Sequence, residues 1–263
     1  MANRPLGAFG GGAAVGVLGG LIGLGGAEFR LPLLIGPFGF AALDAVILNK
    51  TMSLIVVTSS LVFRAPTIPL AAIADHWQAI ATLLAGSLVG AWIGASWAIW
   101  MRAASLYRVI AILLVLIAAV LLFAHEPSAE GPPILAGIAQ IVVGIVAGFA
   151  IGVVSALLGV AGGELLIPTL MLLFGADIKL AGSLSLAVSL PTMLVSFARY
   201  SRDQSFAVVG RNISFALWMA AGSIAGSLIG GLLVGVVPAA ILLPLLAAIL
   251  LLSAFKVWSH RQM

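Results

Sequence analysis

Hydrophobic residues dominate the chain in eight continuous runs, each long enough to cross a lipid bilayer, since a spanning helix needs about 20 apolar residues. The runs lie near 6–26, 43–64, 77–100, 105–124, 134–159, 178–199, 212–235 and 237–258. Two shorter apolar stretches, 28–40 and 164–176, follow the first and fifth runs after a glycine pair and a glutamate. The pattern predicts an all-α, polytopic membrane protein in which the short stretches either span or re-enter the membrane.

The two halves of the chain repeat each other. A shift of 136 residues, which superposes Glu28 on Glu164, also superposes Gly26 on Gly162 and Pro32 on Pro168. The first half then carries four extra residues, after which Thr51 and Ser53 match Ser183 and Ser185. We therefore divide the chain into a first transmembrane repeat, residues 1–130, and a second, residues 131–263.

The number of crossings in each half decides how the two repeats are related. Each half crosses three times if its short stretch re-enters as a hairpin with its long partner, and five times if the short stretch spans. A merged long and short piece would give four crossings and parallel repeats, but a straight helix of that length would measure roughly 50 Å. We expect two inverted repeats, each with a broken or re-entrant helix pair at a Gly-Gly-Glu motif plus three transmembrane helices, and both termini in the cytoplasm.

Composition excludes most soluble functions. The chain is 63% hydrophobic and only 8% charged, whereas a soluble domain carries about 25% charged residues. A soluble enzyme and a nucleic-acid-binding protein are therefore not expected. The net charge of +4 is typical of loops that face the cytoplasm and an anionic leaflet. The sequence has no cysteine and no nucleotide-binding or hydrolase motif, so we expect no enzyme activity, no cofactor and no bound metal.

Four ionisable residues lie inside apolar sequence: Glu28, Arg30, Lys50 and Glu164. Each would cost roughly 2.5–3.5 kcal/mol at the centre of a membrane helix, so each is expected to face a cavity or a partner. Two structural alternatives stay open. Arg30 and Lys50 could extend to the membrane interface, and the two glutamates could cap the N-termini of the short helices.

The glycine breaks before Glu28 and Glu164 predict a binding site. Glycine permits a sharp turn and a close approach of a ligand to the main chain. A half-helix that starts at the break directs its free N–H groups and positive dipole end at the cavity, as in the binding sites of many secondary transporters. This field suits an anion, and because burial favours the neutral form of a carboxyl group, both glutamates are predicted to couple transport to protons.

The predicted substrate-binding residues lie at the two breaks and in the hydroxyl-rich segments that follow them. Hydroxyl groups in apolar helices usually bond to backbone or to a neighbouring helix, so repeat-matched positions are the better candidates. The candidates are Gly25, Gly26, Glu28, Asn49, Lys50, Thr51, Ser53, Gly162, Gly163, Glu164, Ser183 and Ser185.

Four stripes of glycine at every fourth position predict close helix packing, either within the protein or in a homodimer. The stripes run over residues 12–20, 86–94, 144–152 and 222–230.

The two break segments, Gly23–Pro32 and Gly159–Pro168, are similar to the paired Gly-Gly-Gly-x3-4-Pro motif of the TauE/SafE family of sulfite exporters, also called the toluene sulfonate uptake permease family. Ala181–Leu186 resembles the Gly-Thr-Ser-Leu element of that family. The resemblance implies a bacterial inner-membrane transporter of sulfite, sulfonates or sulfoacetate that uses no cofactor. Each motif here carries a glutamate, and Asn49–Ser53 replaces the Gly-Thr-Ser-Leu element in the first half.

The sequence therefore predicts a secondary transporter that moves a small organosulfur anion across the inner membrane with protons as the coupling ion. The alternatives are a passive anion channel or uniporter, a transporter of another small carboxylate, a transporter of a metal cation bound by the two glutamates, and a non-transporting membrane component. The expected partners are a small anion, protons and membrane lipid, with no nucleic acid and with a homodimer left open.

Overall fold

The computed structural model describes residues 5–22, 26–64, 74–123, 133–233 and 239–259, which form eleven α-helices and no strand. The first half of the chain contributes α1 (Pro5–Ile22), α2 (Ala27–Ile35), α3 (Ala42–Arg64), α4 (Trp77–Trp100) and α5 (Ala103–Phe123). The second half contributes α6 (Gly137–Leu158), α7 (Gly163–Phe174), α8 (Ile178–Tyr200), α9 (Ala207–Arg211), α10 (Ile213–Leu232) and α11 (Ala239–Ser259). Six of these helices are long and apolar enough to cross a membrane, which confirms the all-α polytopic architecture.

The predicted boundary between the repeats, at residues 130 and 131, lies outside the described residues. So does Gly25, one of the predicted site residues.

Each short helix folds back along the long helix that precedes it. α2 has 9 residues and α7 has 12, so they are about 14 and 18 Å long and shorter than the roughly 30 Å hydrocarbon core. In the first half, Gly26 lies against Val15, and Phe38 contacts Gly11 nearer the start of α1.

The second half follows the same path. Gly162 lies against Ile151 and Ser155 of α6, and Phe174 at the end of α7 reaches Gly144. α1 with α2, and α6 with α7, are therefore antiparallel hairpins. The alternative in which the long and short pieces merge into one straight crossing is wrong.

The glycine stripes join helices from opposite halves of the chain. α1 packs on α10, and α6 packs on α4. A Cβ atom at Gly16 would overlap the backbone of Ser223, and one at Gly152 would overlap the backbone of Ser87. These two contacts are repeat-matched. All four stripes therefore pack helices within the protein, which confirms their predicted structural role.

α3 and α8 occupy the centre of the bundle. The buried share is 67% for the candidate span in α3 and 56% for that in α8, the two highest values among the six candidate spans. α3 packs against α2, α8 and α10, while α8 packs against α3, α4 and α7. The two hairpins are thus held against the two central helices.

Large apolar side chains cover the outer faces of α6 and α10, as expected of surfaces in contact with lipid. The exposed residues include Ile138, Ile141, Val142, Val146, Leu217, Trp218 and Leu228.

We predict that Gly16→Ala destabilises the protein, because the new methyl group would overlap the carbonyl group of Ser223 in α10. Overpacking of a tight contact costs roughly 1–3 kcal/mol. Gly10→Ala is the matched control on the same helix, since no atom lies within 4 Å of a Cβ built at Gly10. Thermal unfolding in detergent should show a lower Tm for Gly16→Ala than for the wild-type protein. Gly10→Ala should show no decrease in Tm. Equal Tm values for the two variants would contradict the close packing of α1 on α10.

Candidate functional site

Glycines with left-handed backbone begin both short helices. Gly26 has φ 70° and Gly162 has φ 83°, and each occupies the N-cap position of its helix. Residues with a Cβ atom adopt this conformation only at a cost, so the glycine is required by the turn. Glu28 and Glu164 follow as the second residues of α2 and α7. Glycine therefore occupies the N-cap position of each short helix, and the glutamates lie in the first turn, where a carboxylate is favoured by the helix dipole.

The two glutamates, one from each half of the chain, meet in the interior. Glu28 is 2% exposed and Glu164 is 6% exposed, and their carboxyl groups are close enough for each charge to act on the other. Within the described part of the chain, neither oxygen of Glu164 has a hydrogen-bond partner of good geometry, and Oε1 of Glu28 has none either. The N-terminal ends of α2 and α7 therefore converge on a buried pair of acids.

A proline sits four residues after each glutamate, at Pro32 in α2 and Pro168 in α7. Proline has no N–H group, so it cannot donate to the carbonyl group four residues earlier in a helix. The main-chain carbonyl oxygens of Glu28 and Glu164 thus lose their usual intrahelical donor. Each break offers acceptor oxygens from both the side chain and the main chain of its glutamate.

Arg30 is fully buried and ties α2 to two other helices. Its Nε donates to Oδ1 of Asn49 at 2.8 Å, its Nη2 to Oγ of Ser53 at 2.8 Å, and its Nη1 to Oγ of Ser223 at 3.2 Å. The alternative that Arg30 extends to the membrane interface is therefore wrong, and we add this residue to the site.

Lys50, on α3, reaches the break in the other half of the chain. Its Nζ donates to the main-chain oxygens of Ser155 and Val160, both at 2.9 Å, and to Oγ of Ser155 at 3.2 Å. An ammonium group has three N–H donors, and all three are used here. Its positive charge lies at the C-terminal end of α6, where the helix dipole favours a cation. The alternative that the side chain of Lys50 extends to the membrane interface is also wrong, since this side chain is 0% exposed.

Two other candidates on α3 also hold the breaks in place. Nδ2 of Asn49 donates to the main-chain oxygens of Ala27 and Leu158, each at 3.0 Å, and so joins the start of α2 to the end of α6. Oγ of Ser53 donates to the main-chain oxygen of Gly159 at 3.2 Å. These side chains position the two hairpins relative to each other.

The repeat-matched positions in the second half carry no such groups. Leu166 stands where the first half has Arg30, and Ala181 and Gly182 stand where it has Asn49 and Lys50. The second half therefore has no counterpart of either buried cation. This asymmetry is visible in the sequence alignment of the halves.

The remaining candidates divide into three groups. Thr51 donates to the main-chain oxygen of Ile47 and Ser185 to that of Gly182, so both hydroxyl groups bond within their own helices. Ser183 is buried, and its Oγ has no partner among the described residues. Gly163 is the first residue of α7, and a glycine permits a ligand to approach the main chain closely.

Several residues outside the predicted set of site residues also support the breaks. Ser155 and Ser189 bond to main-chain oxygens of the second break, at Val160 and Ala161. Ser223 binds Arg30, whereas its repeat-matched partner Ser87 shares a 2.7 Å hydrogen bond with Thr192. The position of Ser87 and Ser223 within matched glycine stripes was the available signal.

Within the described residues, no group of three or more His, Cys, Asp or Glu side chains could hold a metal ion. The two facing glutamates thus form a pair without a further acidic ligand.

We predict that Arg30→Lys lowers stability more than Ser223→Ala does. A lysine nitrogen cannot reach Asn49, Ser53 and Ser223 together, whereas Ser223→Ala removes only one contact of the guanidinium. Each hydrogen bond to a charged group contributes roughly 1.5–3 kcal/mol. Thermal unfolding of the purified variants measures the difference. An Arg30→Lys protein as stable as Ser223→Ala would show that the guanidinium network does not hold α2.

Comparison with known proteins assigns the chain to a family. The model of the family described as Sulfite exporter TauE/SafE matches residues 8–257, a range that includes both glycine breaks and all four glycine stripes. No curated protein and no solved structure matches the chain. The chain therefore belongs to the TauE/SafE sulfite exporter family and is a multi-pass membrane transporter of the anion-exporter type.

Proposed function

We propose that this protein is a secondary transporter that moves a small organosulfur anion, of the sulfite, sulfonate or sulfoacetate class, across the bacterial inner membrane with protons as the coupling ion. The observation that carries the proposal is the buried pair formed by Glu28 and Glu164 at the converging N-terminal ends of α2 and α7. The family supplies the class of substrate.

The charges of the site support an anion that binds together with protons. Among the described residues, the buried side chains of this region that can carry a charge at neutral pH are Glu28, Arg30, Lys50 and Glu164. Their charges cancel when both acids are ionised, so the ionised site has no net attraction for an anion. Each proton that a glutamate takes up leaves one positive charge in excess. The positive ends of the α2 and α7 dipoles add to this attraction.

Contacts within the site suggest different roles for the candidate residues. Asn49, Lys50 and Ser53 are engaged with main-chain oxygens of the breaks, so we assign them to positioning. The main chain around Gly26, at the start of α2, and around Gly163, at the start of α7, together with the free hydroxyl group of Ser183, is available to contact the anion. We keep Thr51 and Ser185 as candidates. Each hydroxyl group would have to break its hydrogen bond to the main chain of its own helix before it could donate to the anion.

We infer that residues 1–130 and 131–263 are inverted repeats. Ser87 of α4 bonds to Thr192 of α8, and Ser96 of α4 accepts from Arg199 of α8 at 2.8 Å. α4 and α8 therefore run parallel. Because α3 directly precedes α4 as a membrane crossing, α3 runs in the opposite direction to both. α8 is the repeat counterpart of α3, so this opposite course supports inversion.

Inverted repeats with a buried central site support alternating access. Both glutamates are shielded from solvent in this conformation, so a substrate can reach them only after the bundle opens on one side. The charged loop residues support cytoplasmic termini through the positive-inside rule. Arg199 and Arg202 lie over the ring of Trp92, at 5.9 and 5.2 Å from its centroid, which places this basic cluster at one end of α4 and α8.

We predict that proteoliposomes containing the wild-type protein accumulate sulfite or a short sulfonate against its gradient when a pH gradient is imposed. An uncoupler should abolish the accumulation. Glu28→Gln combined with Glu164→Gln should also abolish it, because neither amide can take up a proton, while Gly10→Ala should behave as wild type.

Other outcomes of this assay would identify the alternatives. Movement only down the anion gradient, unaffected by an uncoupler, would indicate a channel or uniporter. Accumulation that persists in the double variant would contradict the role of the glutamates. Inhibition by divalent cations but not by sulfite would favour the transport of a metal cation.

A further inference from the structure

We propose that the basic cluster of Arg199 and Arg202 on the ring of Trp92 binds the headgroup of an anionic phospholipid, beside the C-terminal ends of α4 and α8. This is a site on the outer surface of the bundle, separate from the buried glutamates. The inference therefore does not depend on the proposed substrate or on the coupling ion.

Two guanidinium groups share one aromatic ring in this cluster. Cζ of Arg199 lies 5.9 Å from the ring centroid of Trp92, and Cζ of Arg202 lies 5.2 Å from it. A guanidinium within about 6 Å of a ring centroid is attracted by the negative face of the ring. The ring therefore holds two like charges in one small region, and an anion bound there would relieve their repulsion.

Most N–H groups of the two arginines have no acceptor in the protein. Nε of Arg199 donates to Oγ of Ser96 at 2.8 Å. Its Nη atoms, and all the nitrogens of Arg202, make no hydrogen bond or ion pair within the described residues. The neighbouring acid is Asp203, whose Oδ1 accepts from the main-chain N–H of Ser205 at 2.9 Å. Two cations and one carboxylate leave an excess of positive charge, and the planar guanidinium groups match the oxygens of a phosphate.

The cluster continues a surface that faces lipid. On α8, Leu194, Ala198 and Arg202 are all exposed, and their spacing of four residues places them on one face of the helix. On α4, Val89 and Trp92 are 53% and 38% exposed. The apolar part of this surface fits acyl chains, and its basic end fits a headgroup. A soluble anion would use only the basic end, so the combination favours a phospholipid.

Exposed tryptophans indicate the depth of the cluster in the membrane. Trp97 and Trp100, at the end of α4, are 47% and 76% exposed, and tryptophan is enriched where hydrocarbon meets headgroups. Ser96, which holds Arg199, directly precedes Trp97. The unused N–H groups therefore lie at the level of the headgroups. Because Arg199 of α8 is anchored on α4, a lipid bound there would also hold these two helices together.

Native mass spectrometry of the full chain in detergent, titrated with phosphatidylglycerol, tests the proposal. We expect the first phosphatidylglycerol to bind more tightly than phosphatidylcholine with the same acyl chains. Arg202→Gln should weaken this binding about tenfold, the loss that corresponds to one hydrogen bond with a charged group. Arg108→Gln is the matched control, because Arg108 is exposed near the start of α5, at the same end of the bundle. Equal affinity for the two lipids, or an equal loss in both variants, would overturn the proposal.

Trp92→Leu tests the geometry of the cluster without changing its charge. This variant should bind phosphatidylglycerol more weakly than the wild type, since the ring no longer holds the two guanidinium groups. Trp97→Leu, which removes an exposed ring that neither arginine contacts, should bind as the wild type does. Undiminished binding by Trp92→Leu would contradict the site. Displacement of the lipid by glycerol 3-phosphate, which has no acyl chains, would assign the cluster to a soluble anion instead.

Discussion

The energetic cost of a carboxylate in an apolar interior is the constraint on which this structure depends. Glu28 and Glu164 are both shielded from solvent and face each other, and in such surroundings an unpaired charge must be neutralised by a cation, a proton or a ligand. The bundle buries two cations, Arg30 and Lys50, in the same interior. Their hydrogen bonds hold the breaks in place.

The same constraint explains why the two halves of the chain are not copies in their polar residues. α3 of the first half sends Asn49, Lys50 and Ser53 to the main-chain oxygens of the break between α6 and α7. The matched Ala181 and Gly182 send no side-chain donor in return. Broken helices expose main-chain groups that lipid cannot satisfy, so the second break is satisfied by the first half. The glycine breaks repeat closely in the sequence, whereas the polar side chains that satisfy the second break come from the first half.

Sequence alone predicted the parts of the site that depend on local pattern. The apolar runs predicted the helices. The glycine pair next to a glutamate, which occurs twice, predicted the two breaks. The glycine stripes predicted close packing but not their partners, since a stripe indicates the need for a near backbone and not which backbone that is. The polar network could not be predicted, because its partners are remote in the chain. Arg30 and Ser223 are 193 residues apart, and Lys50 and Ser155 are 105 apart, so only the fold brings them together.

The central claim is that the N-terminal ends of α2 and α7 bring residues 28 and 164 together inside the bundle. The sequence has no cysteine, so a pair of cysteines can be introduced without background reaction. Glu28→Cys with Glu164→Cys, treated in native membranes with a short bifunctional methanethiosulfonate reagent that bridges both thiols and then cleaved by a protease between the halves, should remain one cross-linked species until reduced. Glu28→Cys with Leu172→Cys, which places the second thiol on an exposed position near the far end of α7, should separate into two fragments. Two fragments from the first pair would contradict the account.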